Sequence, residues 1–184
     1  LYADQDFLVG MIINSLELAG VTGVKTVSLT GLIPSATDYG RAIYNAVDGR
    51  TDLPQITTGH ATTTSSVVLS ISRALRETGR ELAHEKVGFL GLGSVGMATL
   101  SLMLKSLPHP SEITLCDVYS KRDTLEKLQD SIIREFGYRG NIRIVDAGIN
   151  APSEFYENSL IIGATNVPEV IDINLAKPGT IIVD

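Results

Sequence analysis

Residues 86–96 read Lys86-Val87-Gly88-Phe89-Leu90-Gly91-Leu92-Gly93-Ser94-Val95-Gly96, a short apolar run that breaks into glycines spaced Gly-x-Gly-x-x-Gly. The run has the length of a buried strand, and residues 94–107 are apolar enough to form a helix against a sheet. In that setting each glycine has its own task. Gly91 permits a tight turn out of the strand, Gly93 leaves room for a pyrophosphate beside the backbone, and Gly96 lets the helix pack closely on the sheet. The amides around Ser94 and Val95 open the helix, where the dipole favours negative charge. A second strand, 113–117, ends in Asp117, where such a unit needs an acid for the adenosine ribose hydroxyls. The pattern predicts a dinucleotide site with NAD or NADP as cofactor.

Downstream, residues 121–136 form an amphipathic helix with Leu125, Leu128, Ile132 and Phe136 on one stripe. Strands are expected at 142–145, 159–164 and 180–183. Short apolar strands alternating with helical segments predict an α/β fold, a doubly wound parallel sheet covered on both faces. Ligands in such sheets sit beyond the carboxyl ends of the strands. Ala164, Thr165 and Asn166 therefore line either the nicotinamide side of the cofactor or a plain loop. Asp117 favours NAD, because a carboxylate repels a 2′-phosphate. Ser120, Lys121 and Arg122 follow directly and could hold that phosphate, so Arg122 joins the cofactor candidates and NAD versus NADP stays open.

Upstream, residues 3–19 carry Phe7, Met11, Leu16 and Leu18 at helical spacing, with Ile12 and Ile13 widening the stripe. A short strand is expected at 24–29, a loop at 31–39, a short helix through Ala46, and a turn-rich stretch at 48–54. Thr57-Thr58-Gly59-His60 then opens a long helix to about Glu81. Its apolar face is Val67, Val68, Ile71, Ala74 and Leu75, and its other face carries Arg73, Arg76, Glu77 and Arg80. Hydroxyls at a helix start are commonly caps. The functional alternative places Thr58 and Gly59 against substrate and makes His60 a proton donor, since an unperturbed imidazole suits acid–base work near neutrality. His84 and His109 read as surface residues. The resulting organisation is a partial second α/β lobe at 1–55, a connecting helix at 56–83, and a Rossmann domain at 84–184, with substrate expected between the lobes.

The net charge of −6 argues against nucleic acid or an anionic membrane as partner. A small-molecule or acyl-carrier substrate is the expected partner, and the oligomeric state is open, a homo-oligomer included. The single cysteine, Cys116, rules out a disulfide framework or a cysteine-based zinc site and suits a reducing compartment such as the cytoplasm; no metal is expected. Next to Asp117, Cys116 reads as a small packed hydrophobe whose thiolate the carboxylate disfavours. No apolar run has membrane-spanning length, and the start lacks a leader pattern. The chain begins without Met in a helical pattern and stops in a strand pattern at Thr180–Asp184, which reads as a piece of a longer protein.

In order, Thr57-Thr58-Gly59-His60-Ala61-Thr62-Thr63-Thr64, the long helix and 87–96 resemble the cyanobacterial long-chain acyl-[acyl-carrier-protein] reductases, over about residues 24–184. Residues 171–184 are similar to their run into the fifth strand. More distantly, the helix-then-Rossmann order is similar to glutamyl-tRNA reductases and shikimate dehydrogenases. The first resemblance implies NAD(P)H-dependent reduction of an acyl thioester to an aldehyde through a cysteine nucleophile. This chain departs from that family in three ways: it lacks the matching cysteine, its glycine turn differs, and it has an acid at Asp117 that those reductases lack. Two other readings stand beside it: a shikimate- or amino-acid-type dehydrogenase with no covalent step, and a non-catalytic domain that senses NAD(P).

Overall fold

A computed structural model describes residues 4–117, 122–148 and 150–184. The fold divides after Ala61 into a smaller unit, Leu1–Ala61, and a larger one, Thr62–Asp184. The sequence reading set residues 56–83 apart as a connector. In the fold, the strand at 55–57 and the first residues of the long helix go with the smaller unit, and the rest of that helix goes with the larger.

The smaller unit contains α1 (Gln5–Val21), β1 (Thr26–Ser28), α2 (Ile33–Ala36), α3 (Arg41–Ala46) and β2 (Gln55–Thr57). Asp4 caps α1 by accepting from the Phe7 amide at 2.9 Å. β1 and β2 pair in parallel, with Ser28 opposite Thr57. The core is Ile12, Leu16, Leu29 and Ile43. The stripe expected on α1 is corrected here. Leu16 and Ile12 are buried, whereas Phe7, Met11 and Leu18 are exposed. Apolar residues surround this helix, so spacing alone could not tell its inner face from its outer one.

The larger unit takes most of α4 (His60–Glu77), then β3 (Lys86–Leu90), α5 (Ser94–Ser106), β4 (Glu112–Asp117), α6 (Arg122–Phe136), β5 (Asn141–Asp146), β6 (Leu160–Gly163) and β7 (Ile181–Val183). The five strands form one parallel sheet in the order β5-β4-β3-β6-β7. The chain winds outward from β3 through β4 to β5, then returns to the other side of β3. This reversal makes the carboxyl end of β3 the topological switch point, the place where doubly wound sheets bind ligands.

The faces of the sheet are covered differently. On one face, Val87, Phe89, Ile113, Leu115, Leu160 and Ile162 pack with α4, α5 and α6 through residues such as Ile71, Leu100, Met103 and Ile132. On the other, Leu90, Cys116, Val145 and Ile161 pack against Ala151, Phe155, Tyr156 and Val170. A 3-10 turn, Ser153–Glu157, supplies Phe155 and Tyr156, so among the described residues that face is covered by irregular chain rather than by an α-helix. Gly88 makes room for it: a Cβ there would lie 2.7 Å from Asn158 Nδ2 and 2.9 Å from the Phe155 ring. The buried Asn158 side chain donates to Phe155 O at 2.7 Å and accepts from Thr114 Oγ1 at 3.0 Å, so its polar atoms are satisfied inside the core.

α4 ends at Glu77, short of the expected Glu81. Gly79 takes φ 67°, and the Arg80 amide closes back on Leu75 O at 2.8 Å, the left-handed stop that glycine favours. Arg80 thereby leaves the solvent face assigned to it. Its guanidinium pairs with Glu85, whose side chain is only 5% exposed, and donates to Gly179 O at 2.7 Å. His109 is also not a free surface residue: its Nε2 lies 3.1 Å from Leu104 O, and its ring packs on Tyr138 with centroids 5.7 Å apart.

Candidate cofactor-binding site

The carboxyl ends of β3, β4 and β6 are level, because Leu90 is paired with Cys116 on one side and Gly163 on the other. Gly91, Asp117 and Ala164 are therefore the next residues along three adjacent strands or their exits. Gly91 turns with φ 90°, a conformation that side chains rarely adopt, and donates its amide to Cys116 O at 2.9 Å. On its other side, a Cβ would meet the backbone of Ala164 and Thr165 at 2.7 Å. Ala164 is fixed by its own amide, which donates to Leu90 O at 2.8 Å.

Gly96 is tighter still. A Cβ there would overlap Gly91 O and lie 3.3 Å from Ala164 Cβ, so glycine is required for the helix to sit against the turn. Gly93 is the N-cap of α5 and has no side chain to cap it; its carbonyl accepts the first helical bond, from Met97 N at 2.9 Å. The amides of Ser94 and Val95 begin the helix directly behind it. An anion facing this helix start would meet backbone donors and the positive end of the dipole.

Asp117 is 92% buried by the measure of its 8% exposure, and its Oδ2 accepts from the Leu92 amide at 2.5 Å. The acid therefore holds the middle of the glycine turn in shape. Sequence reasoning gave it only a ribose role and missed this one; the available signal was a carboxylate at the end of a buried strand, which needs a donor nearby. Asp146 is the register partner of Asp117 on β5. Arg122, at the start of α6, donates to Asp146 Oδ2 at 2.9 Å and to Glu126 Oε1 at 3.3 Å. Ser120 and Lys121 lie outside the described residues.

Cys116 is fully buried. Burial, then the negative charges of Asp117, Asp146 and Glu154, push its thiol up to about 12. That matches the packed hydrophobe expected from sequence and leaves no thiolate near neutrality.

Thr165 and Asn166 line a groove of about 540 Å³ beyond the ends of β6 and β7, together with Val167, Val170, Ile171 and Ile182. Thr165 Oγ1 accepts from Val167 N at 3.1 Å, which curls the loop. Ala164 backs the glycine turn, whereas Thr165 and Asn166 look into this groove.

The remaining candidates belong to the smaller unit. Gly59 has φ 72°, and His60 opens α4. Thr58 Oγ1 lies 3.0 Å from His60 Nδ1. Thr57 Oγ1 accepts from Gly59 N at 3.5 Å, a long bond that makes it at best a weak turn anchor. The Thr58 hydroxyl is thus directed at the imidazole, and the two residues form a pair.

No protein-family model matches the sequence, and no curated protein matches it either. Among solved structures, the chain is similar to Δ1-pyrroline-2-carboxylate reductase from Thermococcus litoralis, crystallised with NADH and L-proline. The match has 18% identity and a TM-score of 0.50, and covers 73% of this chain and 40% of that one. It is also similar to shikimate 5-dehydrogenase from Listeria monocytogenes, in complex with shikimate and NAD, at 17% identity and a TM-score of 0.44, over 62% of this chain and 42% of that one. L-tryptophan dehydrogenase from Nostoc punctiforme matches at 18% identity and a TM-score of 0.45, over 88% and 41%. The chain spans about two fifths of the length of these structures. The likeness to the pyrroline-2-carboxylate reductase supports the Rossmann fold already read from the sheet order.

Proposed function

We propose that this chain is the cofactor-binding part of an NAD(P)-dependent oxidoreductase that reduces a carbonyl or imine carbon of a small substrate without a covalent enzyme intermediate. The observation that carries the reading is the glycine turn itself. Gly91 is wedged against Ala164, Gly96 against Gly91, and the Leu92 amide is held by buried Asp117. A turn built this tightly sets the start of α5, whose N-cap is the side-chain-free Gly93, as a cradle for a diphosphate. Gly93, Ser94 and Val95 would hold that diphosphate, and Asp117 would hold the adenosine ribose. When bound, the cofactor supplies the hydride.

The chain's own residues do the rest. Asp117 and its neighbour Asp146 make the ribose end acidic, and Arg122 is already engaged by Asp146 and Glu126. This balance favours NAD over NADP. Thr165 and Asn166 belong to the nicotinamide side, where Val167, Val170, Ile171 and Ile182 give the groove beside them an apolar wall. Reduction of a carbonyl or imine also consumes a proton, and His60 is the proposed donor, oriented by Thr58, with Gly59 allowing close approach of substrate.

Acyl-thioester reduction ranks second. It is supported by the order of the Thr58-containing segment and the glycine turn, but it needs a thiolate. The only cysteine of this chain is buried, with its thiol pushed up to about 12, so that chemistry requires a nucleophile from outside these residues.

The test is a fluorescence titration of the chain with NADH and NADPH, followed by cofactor oxidation with 2-oxo acids plus ammonium, cyclic imino acids and cyclic ketones in the full-length protein. Saturable binding that is lost in Gly93→Val supports the reading. A folded chain that binds neither dinucleotide refutes it, and binding without turnover on any substrate favours a sensor.

A further inference from the structure

We propose that Tyr39 is a positioning residue for His60, its ring fixing one face of the imidazole while Thr58 fixes Nδ1. The proposal rests on the reading of His60 as a proton donor and adds to it a residue that no sequence pattern singled out.

The first observation is backbone cost. Asp38, Tyr39 and Gly40 follow one another with φ of 49°, 57° and 85°, all in the left-handed region. Gly adopts it freely and Asp tolerates it, but for a tyrosine it costs about 1–2 kcal/mol. The loop holds this conformation with Tyr39 N donating to Pro34 O at 2.6 Å, and with Gly40 N and Ala42 N both donating to Thr37 O at 3.1 Å. The Thr37 hydroxyl is turned back on Ile33 O at 2.8 Å.

The second observation is that burial does not explain the tyrosine. The residue stays 40% exposed and is not part of the Ile12–Leu16–Leu29–Ile43 core. Glycine or asparagine would serve the same turn with less strain. What the tyrosine adds is its ring, set edge-on to His60 with centroids 5.9 Å apart and planes at 68°. That is the separation and tilt at which aromatic rings attract one another.

The third observation links the loop to the other support of the imidazole. A Cβ on Gly40 would lie 3.2 Å from Thr58 Cγ2, so the loop backbone runs close beside the residue whose Oγ1 is 3.0 Å from His60 Nδ1 and leaves its methyl group room. One left-handed loop thus carries the Tyr39 ring that touches His60 and passes beside Thr58, its other support. A general acid must present its proton along one line, and restricting the ring serves that need.

The test uses ¹⁵N-imidazole NMR on the full chain, with His60 assigned by comparison with His60→Gln. Tyr39→Gly removes the ring and relieves the backbone, so the variant should melt no lower than the parent. The expected result is a His60 tautomer ratio that moves toward that of free imidazole in Tyr39→Gly and stays at the parent value in Tyr39→Phe, which keeps the ring. Thr58→Val should shift the same ratio independently. An unchanged His60 spectrum in a folded Tyr39→Gly chain overturns the proposal. Turnover that survives His60→Gln would instead defeat the proton-donor reading and leave the ring contact intact, so the two failures are distinguishable.

Discussion

Replacing Asp117 by asparagine separates the two tasks given to that residue. Asparagine keeps an oxygen that can accept from the Leu92 amide, now 2.5 Å from Oδ2, so the glycine turn should survive. What is lost is the charge. Hydrogen bonds to a charged acceptor contribute about 1.5–3 kcal/mol and neutral ones about 0.5–1.5, so loss of charge at the ribose hydroxyls should weaken NADH by about 1–2 kcal/mol. That corresponds to a rise of roughly 5- to 30-fold in Kd. For NADPH the sign reverses. A unit charge about 4 Å from another in water is worth about 1 kcal/mol, and a 2′-phosphate carries more than one charge, so its binding should tighten roughly tenfold. The NADH-to-NADPH preference should therefore move by about two orders of magnitude. The assay is a titration of both cofactors against parent and variant by nicotinamide fluorescence, with a thermal melt of each to confirm folding. Asp117→Leu serves as the contrasting arm: it also strands the buried Leu92 amide, which should cost about 1–3 kcal/mol of stability. A folded Asp117→Asn chain whose cofactor preference equals the parent's would refute the placement of the ribose at Asp117.

Other consequences can be measured directly. Cys116, with its thiol pushed up to about 12, should react with a disulfide reagent at pH 8 about a thousand-fold more slowly than a free thiol, and should react fast only in denaturant. Rapid native labelling would reopen covalent chemistry. Gly91→Ala places a Cβ 2.7 Å from the Ala164 backbone at φ 90°, and urea unfolding should show a loss of about 2–4 kcal/mol; no loss would mean that the turn is not wedged there. Burial raises the Glu85 carboxyl, but the bonds from Arg80 and Ser159 outweigh it and leave the group below the ordinary glutamate value. A lowered carboxylate stabilises the fold fully above the unfolded value of 4.5, and this stabilisation is lost as pH falls through the folded value. Melts from pH 7 to pH 3 should therefore show the gap between parent and Glu85→Gln narrowing at the acid end, and a constant gap would exclude this linkage. Arg80→Met, which leaves Glu85 buried without its ion pair, should lower stability by about 3 kcal/mol at pH 7 in the same assay.

The Rossmann unit was legible in sequence because several levels agreed on it. The apolar runs at 86–90, 113–117 and 160–163 could only be buried strands, and the glycine spacing fixed how the first one ends. The cover of the second face was not legible. Residues 150–158 have no helical or strand period, and within them Ser153–Glu157 folds as a 3-10 turn whose Phe155 fills the gap above Gly88. A glycine in the middle of a core strand was the available hint that something approaches closely. The register of α1 was hidden because Phe7, Met11 and Leu18 are as apolar as the residues that face inward. Tyr39 was invisible for a different reason: its left-handed conformation is set by a loop whose amide bond to Pro34 O runs five residues back, and a tyrosine is not a residue type that signals such a turn. The Leu92–Asp117 bond could be anticipated only once strand register was known.

The wall behind Gly91 is contributed by Ala164 and Thr165, at the exit of β6, a strand that joins β3 only after β4 and β5 have been laid down. A growing chain therefore carries every glycine of its fingerprint long before it owns a competent cradle. Nucleotide capture should switch on late in synthesis, when β6 slots in. A polypeptide halted near residue 150 would keep the recognisable motif yet bind nothing, a warning for anyone who excises such a segment by motif boundaries alone.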